Sequence, residues 1–102
     1  MIGCYAVTEL SIVRFERETT TLWRSVDGAV LLLPSGSTEA WLVTAPGEAI
    51  WNLLGAPRSI DEMAEALAEQ FGESPHRIAT DIDPIIAVLE EIGAAFRVEV
   101  SA

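Results

Sequence analysis

The chain has no lysine, one cysteine (Cys4) and one histidine (His76). A lone cysteine rules out a disulfide within the chain, and a Cys/His zinc site would lack ligands. Any Ser-His-Asp device would depend on His76. That residue lies in the stretch Ser74-Pro75-His76-Arg77, which reads as the start of a helix with a surface histidine. No apolar run reaches the roughly 18 residues that a membrane span needs. The start Met1-Ile2-Gly3-Cys4 ends like a lipoprotein cleavage site. No apolar stretch precedes it, so no export signal is read and a reducing, cytoplasmic location is expected. Bases are scarce: six, all arginine, against 16 acids, for a net charge of −10. This balance disfavours a nucleic-acid backbone or an anionic membrane surface as partner.

What remains suits one compact domain. The 102 residues are 50% hydrophobic and 22% charged, which excludes global disorder. The charge is unevenly placed. Residues 58–93 hold nine acids and two arginines, whereas residues 1–57 hold six acids and three arginines. The hydrophobic period changes at the same point, from short or alternating apolar runs to helical spacing. Strands followed by helices imply an α+β domain. There is no internal repeat, low-complexity segment or long linker.

In the first half, Thr8 to Thr19 is strand-like but mixed. Leu22–Val26 and Ala29–Leu33 flank Asp27-Gly28, a hairpin signal because both turn residues tolerate positive φ. Ala29–Leu33 is apolar on both faces and therefore central. Turn residues Pro34-Ser35-Gly36-Ser37 lead to a third strand, Glu39 to Val43 or Thr44. Trp41 and Val43 share one of its faces; Ala40, Leu42 and Thr44 share the other. The meander ends there on an edge strand.

In the second half, Pro46 suits a first helical position, Gly47–Leu54 a short helix, and Gly55 its stop. Ser59-Ile60-Asp61-Glu62 is a capping box. It opens a helix with Ile60, Met63, Ala64, Leu67 and Phe71 on one stripe and Gly72 at its end. Ser74-Pro75 opens a third helix, which runs to about Ile92 and stops at Gly93. Its apolar residues form two stripes: Ile78, Ile85, Val88 and Ile92, and Ile82, Ile86 and Leu89. That exceeds the roughly 100° a surface helix needs. Either one stripe lines a groove or the helix is deeply buried. Pro84 lies inside it, where a kink or a restart is expected. Phe96–Val100 alternates as a short terminal strand would.

A hairpin, a third strand and three helices fit a winged helix. Winged helices commonly read DNA, but here the helices are the acidic part of the chain, so DNA binding is not expected. A carrier protein would need an Asp-Ser pair opening a helix, and none is present. Asp81 and Asp83 are two apart on a helix, so they do not face each other for acid–base work or cation binding.

From about Leu22 to Phe96 the chain resembles the PqqD family, small winged-helix peptide chaperones also called RiPP recognition elements. The resemblance lies in Asp27-Gly28 with Val30–Leu33, then Trp41-Leu42-Val43 and Gly47–Leu54. It continues in Ser59–Leu67, against a family helix start of Thr/Ser-hydrophobic-x-Glu-hydrophobic-Ala. It ends in Asp81-Ile82, Ile85-Ile86, Leu89 and Gly93, against Asp-Val-x-x-Phe-Leu-x-x-Leu-x-x-x-Gly. The chain departs from the pattern at Leu42-Val43, where the family has Leu-Asn. It departs again at Ile85, where the family has phenylalanine, and at Ala94-Ala95-Phe96, where it has Gly-Leu-Val.

The resemblance implies a non-catalytic protein without cofactor or metal. Such a protein binds the leader segment of a ribosomally made precursor peptide and presents it to a peptide-modifying enzyme. The leader adds as a strand beside the third strand and presses side chains into the groove against the third helix, a recognition mode that an open edge beside an apolar groove supports physically. The groove candidates are Trp41, Leu42, Val43 and Thr44 on the strand, with Ile78, Asp81, Ile82 and Ile85 on the helix. Asp81 is placed to accept from a leader amide or basic side chain, or else to pair with Arg77. Leu42, Ile82 and Ile85 serve equally well as core. Trp41 is read as an outward side chain that needs a cover. The alternative is a winged-helix adaptor or regulator acting on a different target, and a homodimer stays open. Residues 1–21 form an N-terminal extension with room for an extra strand, 22–96 the peptide-binding domain, and 97–102 a tail.

Overall fold

A computed structural model describes residues 12–100. The readings made for Cys4, for the Met1–Cys4 start and for Thr8–Ser11 lie outside them. The order is β1 (Ile12–Arg17), β2 (Leu22–Val26), β3 (Ala29–Leu33), β4 (Trp41–Val43), α1 (Gly47–Leu53), α2 (Ile60–Phe71), α3 (Pro75–Glu91) and β5 (Ala95–Val100). β2, β3 and β4 form an antiparallel sheet in that order, while β1 pairs with β5 in a separate two-stranded ribbon. The fold is α+β, with the expected three-stranded sheet, three helices and terminal strand.

Local chemistry sets most of these boundaries. Asp27 and Gly28 take φ of 47° and 83°, the two left-handed residues a tight hairpin requires, and Val26 faces Ala29 across the turn. Ser59 accepts from the Glu62 amide at 3.1 Å and the Ser59 amide donates to the Glu62 carboxylate at 2.8 Å, which completes the capping box. Ser74 caps α3 with Pro75 at its first position, and Gly72 ends α2 in the left-handed region at φ 69°. α3 is one unbroken element through the exposed Pro84, so the helix does not restart there.

α1 ends differently from the sequence reading. Pro46 caps it, Gly47 is its first residue, and it closes at Leu54 with φ −76° and ψ 4°, while Gly55 is not in the left-handed region and so is not a left-handed stop. Arginines from outside the helix serve its last carbonyls instead. Arg17 donates to the Trp51 carbonyl at 3.3 Å and Arg58 to that of Leu53 at 3.0 Å. This satisfies acceptors that a helix C-terminus leaves open and places positive charge at the negative end of its dipole.

The core lies between the sheet and the helices, around Leu32, Ile50, Trp51, Leu54, Met63, Leu67, Ile82, Ile86 and Leu89. Phe15 of β1 joins it, exchanging two backbone hydrogen bonds with Arg58. Two ion pairs tie the ribbon to the helices, Arg14 to Glu62 at 3.2 Å and Arg97 to Glu90 at 3.6 Å. In α3 the buried stripe is Ile78, Ile82, Ile86 and Leu89, Ile85 and Ile92 are half-buried, and Val88 is exposed. Ile78 therefore belongs with the core stripe rather than with Ile85 and Val88.

Candidate functional site

Among the described residues β4 is an edge strand of its sheet. Its pairs are Val30–Val43, Leu31–Leu42 and Leu32–Trp41, and among the described residues it pairs with β3 alone. The connection from β3 is shaped by Gly36, at φ 79°, and by Ser37, whose hydroxyl bonds to both the amide and the carbonyl of Glu39. Beyond β4 the chain turns at once into α1. The Gly47 amide donates to the Thr44 carbonyl at 2.8 Å, and the Glu48 amide donates to the Gly28 carbonyl at 3.1 Å. A Cβ at Gly47 would lie 2.8 Å from a methyl carbon of Val43. Only glycine lets the helix start this close to the strand.

Below this turn lies a cleft of about 520 Å³. Ala45, Pro46 and Glu48 wall it on the strand side, and Leu67, Gln70 and Phe71 come from α2. The segment from Glu73 to Ile82 supplies Glu73, Ile78, Asp81 and Ile82. The candidates from the sequence therefore divide. Ile78, Asp81 and Ile82 face the cleft, whereas Trp41, Leu42, Val43, Thr44 and Ile85 do not line it. Ile78 and Ile82 are also core residues, so they form its floor. Ile85 packs half-buried against the core.

The register also places Trp41. Residues directly opposite in an antiparallel pair project to the same face. Trp41 faces Leu32, which is fully buried, so it lies on the core side of the sheet at its margin, 40% exposed. Leu42 faces Leu31 and lies on the outer side, 57% exposed. The outward side chain of the edge strand is thus Leu42, not Trp41. Val43 is half-buried against the core and Thr44 is exposed.

Asp81 is exposed, and Arg77 does not take it up: the Arg77 guanidinium lies 3.2 Å from Glu73. Asp83 lines a different cleft with Asp61 and Arg97, so the two aspartates do not act together. Among the described residues no three His, Cys, Asp or Glu side chains gather as metal ligands, and no helix is long and apolar enough to cross a membrane. His76 is exposed in the first turn of α3.

The sequence missed the far wall of the cleft. Phe71 shares the apolar stripe of α2 with Met63 and Leu67 in the sequence but is 45% exposed at the end of the helix. Its position, one residue before the Gly72 stop, was the available signal. Glu48 and Glu73 carry no distinguishing signal in the sequence.

The family model for Coenzyme PQQ synthesis protein D (PqqD) matches residues 28–94. That span runs from the hairpin turn to the end of the α3 region and contains the cleft and the β4 edge. Searches of curated proteins and of solved structures returned no match.

Proposed function

The chain belongs to the PqqD family, and from that membership we propose that it is a non-catalytic, cytoplasmic peptide chaperone. It binds the leader segment of a ribosomally made precursor peptide and presents the rest to a modifying enzyme. Residues 22–96 are the peptide-binding unit. The leader adds as a strand on β4, and its alternate side chains reach Trp41 and Val43 on the inner side and the cleft at Ile78, Asp81 and Ile82.

One observation carries this reading: among the described residues β4 has an open edge, and it lies directly upstream of a cleft with an apolar floor. The edge supplies main-chain donors and acceptors to any extended peptide, and the cleft discriminates among side chains. The chain's charge of −10 speeds encounter with a basic peptide or a basic partner surface.

The test is a titration of the full chain with the short peptides encoded beside its gene, followed by tryptophan fluorescence. A saturable change at micromolar to submillimolar peptide supports the reading. No response to any of them would leave the adaptor alternative in its place.

A further inference from the structure

The cleft beside β4 carries charge of one sign. Glu48, Glu73 and Asp81 line it, and among the described residues no arginine or histidine does. Glu73 already holds Arg77. Glu48 and Asp81 have no ion pair among the described residues. Apart from Gln70, the rest of the described lining is apolar, and it includes Phe71, which is 45% exposed, with Ile78 and Ile82.

We propose that this cleft selects a lysine or arginine of the bound peptide, its aliphatic stem lying on Phe71 and Ile78 and its cation held by Glu48 and Asp81. The proposal rests on the peptide-binding reading above and adds the residue class that the site prefers. Long basic side chains bury their methylenes on apolar surface while keeping the charged head at a polar rim, and this cleft offers both parts. A purely aliphatic side chain would cover the two carboxylates without giving them a partner, which costs free energy. An acidic one would be repelled. Ala45 and Pro46 line the cleft and follow directly after Val43-Thr44, so β4 and the cleft adjoin along the chain.

Two probes separate this proposal from the reading it rests on. The full chain, isotopically labelled, is titrated with N-acetyl-lysine methylamide and with its norleucine counterpart, which has a similar stem without the charge. Amide shifts at Glu48, Phe71 and Asp81 are expected with the lysine probe, and weaker ones with the norleucine probe. In the Glu48→Gln/Asp81→Asn double variant the lysine probe should bind about fivefold more weakly, the scale of an exposed ion pair, and raised salt should narrow the difference.

Equal shifts from both probes, or lysine shifts unchanged in the double variant, would overturn the proposal whatever the encoded peptides do. A lysine response without binding of any encoded peptide would uphold the pocket and reject the chaperone reading. Each carboxylate lies outside the buried core, so the double variant should fold, and its own amide spectrum checks that.

Discussion

Trp41 stands directly opposite Leu32 across the β3–β4 ladder, so the tryptophan of the edge strand is on the core side of the sheet. The other two tryptophans lie elsewhere. Trp23 meets the buried Trp51 edge to face, with centroids 6.2 Å apart, and the Arg17 guanidinium lies 5.2 Å from the Trp23 centroid and 5.4 Å from that of Trp51.

Trp41 is therefore expected to report peptide binding. Trp41→Phe should remove most of the fluorescence change on peptide addition while leaving the fold intact. Trp23→Phe should preserve the change. Loss of the signal in the Trp23 variant instead would place the peptide on β2.

Gly47→Ala tests the junction of β4 and α1. Alanine ordinarily favours a helix over glycine, but here its Cβ would meet Val43 at 2.8 Å. Val43 must move, and the variant should lose about 1–3 kcal/mol in denaturant unfolding, the scale of overpacking. Peptide affinity should fall with it, because Val43 belongs to the recognised strand. A stabilised variant would show that the strand yields freely.

Glu62 gives the fold a pH dependence. Its carboxyl is held below its ordinary value of 4.5, first by the Ser59 amide and then by the Arg14 guanidinium. Folding favours the ionised form, so this stabilisation is complete above the ordinary value and is lost as pH falls through the lowered one. Thermal unfolding of Glu62→Gln should lie below that of the parent at neutral pH, and the gap should close in acid. Ser59→Ala should cost about 1 kcal/mol, as a lost N-cap does. A constant gap across pH would mean that Glu62 acts through packing rather than charge.

Burial of Trp51 predicts a larger effect. The side chain is fully buried between the sheet and the helices, and Trp51→Ala should cost about 3–5 kcal/mol, measured by denaturant unfolding. A cost below about 1 kcal/mol would show that the core relaxes around the loss.

The parts of this fold that follow from neighbouring residues were legible in the sequence. Asp27-Gly28 fixed a hairpin, and Ser59 with Glu62 fixed a helix start, because turn and cap chemistry acts within a few residues. The pairing of β1 with β5 joins residues at opposite ends of the described chain, from Ile12 with Val100 to Arg17 with Ala95, and no local signal specifies it. The end of α1 depends on Arg17 and Arg58 reaching back to it, so the nearby Gly55 misled. Alternation correctly separated Trp41 and Val43 from Leu42, but it does not say which face meets the core; only the buried partner Leu32 decides that. Likewise the cleft joins Phe71, Glu48 and Asp81 from three helices, and helical periodicity speaks only within one.

Among the described residues the sheet has two open edges, β2 and β4, and this gives the most direct test of the central claim. Amide hydrogen exchange is measured with and without the precursor peptide encoded beside the gene. Strand addition on β4 predicts slowed exchange within Trp41–Val43 and around Ile78–Ile82, with Leu22–Val26 unchanged. Protection of Leu22–Val26 with β4 unchanged would contradict it.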